Sequence, residues 1–184
     1  MLVRGFYFEG YRPSGKPFIC HLVGTASLAA IAGAAPPVVE AAMLHAWRTH
    51  GGPRLFGRRL PLRRLPWHRS IPLAVRRLIS EYETLHRQLQ RSQGVPRPGH
   101  GFSSDAMTIH IANEIERYVD HGALFVERYR EDQNHARRIA ALATDWGSEK
   151  LLECLLGLLR KDAEFQAPIG FEVSAAGSPA PRSP

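Results

Sequence analysis

Residues 17–47 read PFICHLVGTASLAAIAGAAPPVVEAAMLHAW, and this stretch decides the fold. Pro17 suits a first helical turn, where a missing N–H removes nothing the helix would have paired, and Gly33 marks the stop. Between them Phe18, Leu22, Thr25, Ala26 and Ala29 recur at helical spacing, so one face is predicted to be buried. Pro36 and Pro37 open a second helix through VVEAAMLHAW, predicted to stop at Gly51 and Gly52.

Upstream, Gly5, Gly10, Pro13 and Gly15 make the lead-in extended or looped. Downstream, residues 51–69 follow neither helical nor strand periodicity and are predicted to form a long loop, a length that is uncommon unless functional or disordered. A third helix is predicted over 71–91, with Leu73, Val75, Leu78, Ile79 and Tyr82 as its apolar stripe, ended by the Pro and Gly of GVPRPGHG. A fourth starts from the Ser103-Ser104-Asp105 cap, with Met107, Ile111, Ile115 and Tyr118 facing inward. Further helices are predicted over 122–131, 133–145 and 148–163, the last capped by Ser148. No strand run is convincing, so the fold class is all-α, a bundle of six or seven helices spanning 1–168. Residues 169–184 hold too little apolar mass to order themselves and are predicted to be a disordered tail.

The chain has 184 residues, which fits one domain of ordinary size, and its 44% hydrophobic and 22% charged content is that of a globular protein. No segment offers the roughly 18 apolar residues of a membrane span. The opening MLVRGFYFEGYRPSGKPF lacks the apolar core and cleavage site of a signal peptide, which makes the cytoplasm the default compartment. Cys20 and Cys154 show no CxxC pairing and sit in apolar helical patterns, where cysteine behaves as a small core hydrophobe. Lys+Arg number 24 against 17 Asp+Glu, a formal charge of +7 that favours anionic partners. The densest positive stretch, RLFGRRLPLRRLPWHR, carries Arg54, Arg58, Arg59, Arg63, Arg64 and Arg69; it reads either as a solvated loop or as a clamp for a substrate phosphate. Nucleic acid ranks third, because no binding motif accompanies the charge.

The segment RPSGKPFICHLVGTASLAAIAGAAPPVVEAAMLHAWRTHG resembles the opening of the HD (His-Asp) superfamily, especially the hydrolase domains of alarmone (guanosine tetraphosphate) metabolism. In those proteins an Arg precedes a glycine and an aromatic-containing turn, then a histidine ligand, then an Ala-rich helix ending in Leu-Leu-His-Asp. Arg12, Gly15, Phe18, His21 and Ala41-Ala42-Met43-Leu44-His45 stand in those places here. Ile111-Ala112-Asn113-Glu114 resembles the later Leu-Ala-Asp segment that supplies the last metal ligand. The resemblance covers about the first 120 residues, loosely in its second half. It implies that His21 and His45, on neighbouring helices, share one pocket as ligands of a divalent metal (Zn, Mn or Fe) or as general acid and base.

Three family acids are replaced: Ala46 follows the second histidine, Asn113 stands at the later Asp, and Thr49-His50 replaces a Glu-Asp pair. Each change removes an anionic oxygen and weakens the hold on a dication. His50 would supply a third imidazole if the second helix ends between it and His45, since five residues span about 140° of an ideal helix. Glu114 or Glu116 would bring a carboxylate. Arg12 and Lys16 either meet a substrate phosphate or carboxylate or form a solvated turn, while Arg48 leaves the second helix beside the site with Trp47 and Thr49. His110 and Glu114, four apart, read as a helix-surface pair. His86 and His135 show no informative spacing. These residues imply an enzyme of HD phosphohydrolase ancestry acting on an anionic small molecule or nucleotide. The catalytic candidates are His21, His45, His50 and Glu114, and the substrate-binding candidates are Arg12, Lys16, Arg48 and Asn113. The alternatives are a binding or regulatory module whose acids have decayed, or a metal-independent, non-hydrolytic enzyme on the same fold.

Overall fold

The structure is a computed structural model that describes residues 11–12, 15–46, 54–55, 58–59, 70–91, 101–122 and 129–165. Among them are six helices: α1 Phe18–Ile31, α2 Pro36–Leu44, α3 Leu73–Arg91, α4 Ser104–Gly122, α5 Tyr129–Asp145 and α6 Glu149–Phe165. The all-α expectation is met. Of the predicted 122–131 helix, Gly122 belongs to α4 and residues 129–131 open α5, while 123–128 lie outside the described residues. Within the predicted 51–69 loop, β1 (Arg54–Leu55) pairs antiparallel with β2 (Arg58–Arg59), Arg54 opposite Arg59. The rest of that loop, its other arginines, Arg48, His50 and the 169–184 tail lie outside the described residues. No described helix is long and apolar enough to cross a membrane.

Local chemistry sets the helix ends. Pro36 and Pro37 occupy the first turn of α2. At the end of α1, Gly33 takes φ +82°, the left-handed conformation that lets Gly33 N–H reach Ala30 O and Ala34 N–H reach Ala29 O. Ser103 caps α4, its Oγ accepting from Ala106 N–H at 3.2 Å, and its own N–H is held by Glu81 Oε1 of α3 at 2.5 Å.

Helix α4 touches each of the other five helices. It is therefore buried nearly all round from Ala106 to Glu116, where a surface helix would show a single apolar stripe. On one side of it Ala26, Ala29, Val38, Ala41, Ala42, Leu44, Ile71, Val75, Ile79 and Tyr82 close a core around Ile109. On the other, Met107, Ile111, Ile115 and Tyr118 pack with Leu85, Ile139, Leu142, Leu151 and Leu155. Each fully buried Leu or Ile contributes about 1.5–3 kcal/mol by leaving water. Two sequence expectations are corrected: Leu73 is 54% exposed because it opens α3 ahead of the packed turn, and Cys20 is exposed on the outer side of α1.

Candidate functional site

Helix α1 buries His21 along with Leu22 and Thr25, while α2 ends at Leu44 and leaves His45 as its C-cap residue. The two imidazoles, twenty-four positions apart, meet edge to face with ring centres 5.3 Å apart. Both line one cavity of about 710 Å³, together with Tyr11, Arg12, Phe18, Ala46, Tyr82, His86, Asn113 and Arg117.

Each ring is oriented through Nδ1. His45 Nδ1 lies 2.6 Å from Ala42 O, and because a carbonyl only accepts, Nδ1 carries the proton and Nε2 the lone pair. His21 Nδ1 is held between Glu116 Oε2, an acceptor, and Arg12 Nη1, a donor at 2.8 Å. Glu116, on α4, collects two cations as well: Arg12 Nη1 donates to Oε2 at 3.1 Å and Lys16 Nζ to Oε1 at 2.5 Å. Gly24 makes room for this carboxylate, since a Cβ there would stand 2.8 Å from Glu116 Cγ.

Burial governs the protonation states. It lowers His45 from 6.5 to about 3, against the opposing hydrogen bond to Ala42. Burial also lowers His110 to about 4 and pulls His86 down. All three imidazoles are neutral near pH 7. For Glu116, burial alone would raise the carboxyl, but the hydrogen bonds from His21 and Lys16 outweigh it and hold it below its usual range.

From His45 a file of rings continues inward: Tyr82 stands edge to face with His45 at 5.2 Å, stacks on His86 at 5.6 Å, and His86 faces His110 at 5.7 Å. His110 and Glu114 are thus buried in the bundle, correcting the expectation of a surface pair. Glu114 does not line the cavity beside His21. Its carboxylate receives Asn113 Nδ2 at 2.9 Å, Arg117 Nη1 at 3.2 Å and His135 Nε2 at 3.0 Å. Burial opposes ionisation there, yet the His135 hydrogen bond, with nearby positive charge, holds Glu114 well below the usual carboxylate range.

Of the sequence candidates, the cavity joins His21, His45, Arg12 and Asn113, whereas Lys16 reaches Glu116 and Glu114 sits behind Arg117. The residues sequence reasoning underrated are Glu116, Tyr82 and His86. Their common signal is helical phase relative to a fully enclosed α4, which only the packing reveals.

Beside His21 and His45 the described residues supply few donors for a divalent cation. They are the two imidazoles and the Asn113 amide, while Ala46 has no donor and Glu116 is already taken by His21, Arg12 and Lys16; His50 lies outside the described residues. The guanidinium groups of Arg12 and Arg117 on the same cavity add repulsion. No protein-family model matches the chain, and neither does any curated protein or any solved structure.

Proposed function

We propose that the chain is an enzyme of HD phosphohydrolase ancestry that works on a phosphorylated or otherwise anionic small molecule by side-chain proton transfer. The observation that carries this reading is the convergence of two imidazoles, each fixed through Nδ1, on one cavity. His21 Nε2 exchanges the proton, and Glu116 stabilises the imidazolium that forms while holding the ring in place. His45, kept neutral by burial, accepts a hydrogen bond from a substrate donor through Nε2. The guanidinium groups of Arg12, Arg87 and Arg117 on the described cavity wall are the donors an anion would meet, Arg12 and Arg117 in exchange for Glu116 and Glu114.

The test is turnover of a panel of phosphate monoesters and nucleotides by the purified chain. Replacing His21 with Asn should lower kcat by about 10²–10⁴-fold, and Glu116→Gln should shift the pH profile of kcat. A decayed binding module is the second reading, favoured by Ala46 and Asn113 at family acid positions and by the engagement of Arg12 and Lys16 with Glu116. It predicts saturable binding of an anion from the panel with no turnover, an outcome that would end the enzymatic reading.

A further inference from the structure

On the far side of Tyr82 from His45, three side chains form a second constellation. One ligand atom each from His86, His110 and Glu114 lies within 4.8 Å of the other two. His86 comes from α3, and His110 and Glu114 from one face of α4, a helical turn apart. Two of these groups have unmet bonding capacity. His110 is 5% exposed, and its Nδ1 is buried without a hydrogen-bond partner. The Nδ1 of His86 is likewise buried and unpartnered, while its Nε2 meets the Gln90 amide at 2.9 Å. Each imidazole thus keeps one buried nitrogen without a partner, in a cluster whose third member is a carboxylate that remains ionised.

We propose that His86, His110 and Glu114 form a binding site for a divalent transition-metal ion, zinc above all, with a fourth position left for water or a ligand. Imidazole nitrogen and carboxylate oxygen are the donors that zinc takes in three-ligand sites, and one negative charge suits a cation that keeps an open coordination position. Tetrahedral zinc at about 2.0–2.1 Å from each donor needs donor separations of about 3.3 Å, so the three side chains close by an ångström or so as the ion enters. His135, hydrogen-bonded to Glu114 Oε2 at 3.0 Å, is a positioning residue for the carboxylate. Arg117 competes: its guanidinium meets both Glu114 oxygens, and its side chain is 40% exposed, free to withdraw into solvent when a dication arrives. His86 also belongs to the cavity wall, which gives the ion a route in. The assignment is independent of the proton-transfer reading and stands or falls on metal binding alone.

The experiment is titration of the full, chelator-stripped chain with zinc by calorimetry, and with cobalt(II) for its visible absorption. One ion per chain is expected, with cobalt bands of a four-coordinate nitrogen and oxygen site. His86→Ala, at a half-buried position the fold tolerates, should weaken binding by on the order of 100-fold, and His135→Ala by about 10–100-fold. Arg117→Ala should tighten it several-fold. A double replacement of His21 and His45 by Gln should leave it unchanged. Circular dichroism confirms that each variant is folded. Absence of stoichiometric binding overturns the proposal, as does binding that survives His86→Ala or is lost in the His21/His45 double variant.

Discussion

Mild acid should destabilise the chain through its buried imidazoles, and His45 gives the effect a size. In the folded protein His45 takes up a proton only near pH 3, against 6.5 when unfolded, because burial under Tyr82 and His21 disfavours the charged ring. Below pH 6.5 the unfolded chain therefore binds a proton that the folded chain refuses. Stability is complete above that pH and declines by about 1.4 kcal/mol per unit of acidification, until the folded ring itself titrates. At pH 5 the loss from His45 is about 2 kcal/mol, and His110, lowered to about 4, adds a similar amount in metal-free protein. Against a total stability of roughly 5–15 kcal/mol this is a large share. Glu114 and Glu116 have depressed values too, but their contribution is lost only below about pH 4.5, outside this window. Urea unfolding followed by circular dichroism at pH 7, 6 and 5 makes the measurement. The loss between pH 7 and 5 should be about 2 kcal/mol smaller in His45→Gln than in wild type. Equal losses in the two proteins would refute the argument.

Two further outcomes follow from packing. Gly24→Ala gains about 1 kcal/mol of helix propensity, but its Cβ would stand 2.8 Å from Glu116 Cγ and 3.2 Å from Oε1. Overpacking of that kind costs about 1–3 kcal/mol, so the melting temperature should stay level or fall by several degrees; a rise of about 2–4 °C would show that Glu116 yields freely. Ile79→Ala should lose about 2–5 kcal/mol in urea unfolding, whereas Leu73→Ala on the same helix should stay within about 0.5 kcal/mol, because Ile79 is fully buried and Leu73 is 54% exposed.

The helices were legible because proline and glycine punctuate them: Pro17 and Gly33 bracket α1 and Pro36 and Pro37 open α2 within a residue or two of the observed ends, whereas α2, expected to run to Gly51, ends at Leu44 with His45 as its cap. The meeting of His21 and His45 was legible too, since it rests on two adjacent helices and a short turn. What resisted reading was α4. In an isolated helix Glu114 and Glu116 lie about 200° apart, so one carboxylate is expected inside and the other in water. Because α4 is packed on five sides, both are inside, each bound to a different neighbour. The same enclosure turned the apparent surface pair His110 and Glu114 inward. His86 escaped notice because its partners lie across the 92–100 connection, at a separation no local periodicity encodes.

The enclosure of α4 also fixes where that helix sits along its own axis. Its apolar side chains repeat every four residues, Met107, Ile111 and Ile115, so a slide of about 6 Å would exchange one greasy residue for another at little loss. The polar side chains break that degeneracy. Among the described residues Glu116 reaches His21, Arg12 and Lys16, and Glu114 its own helix and His135, so a slipped helix would strand ionised carboxylates among hydrocarbon. Charge buried at two unlike addresses thereby selects a single threading of the bundle's central rod.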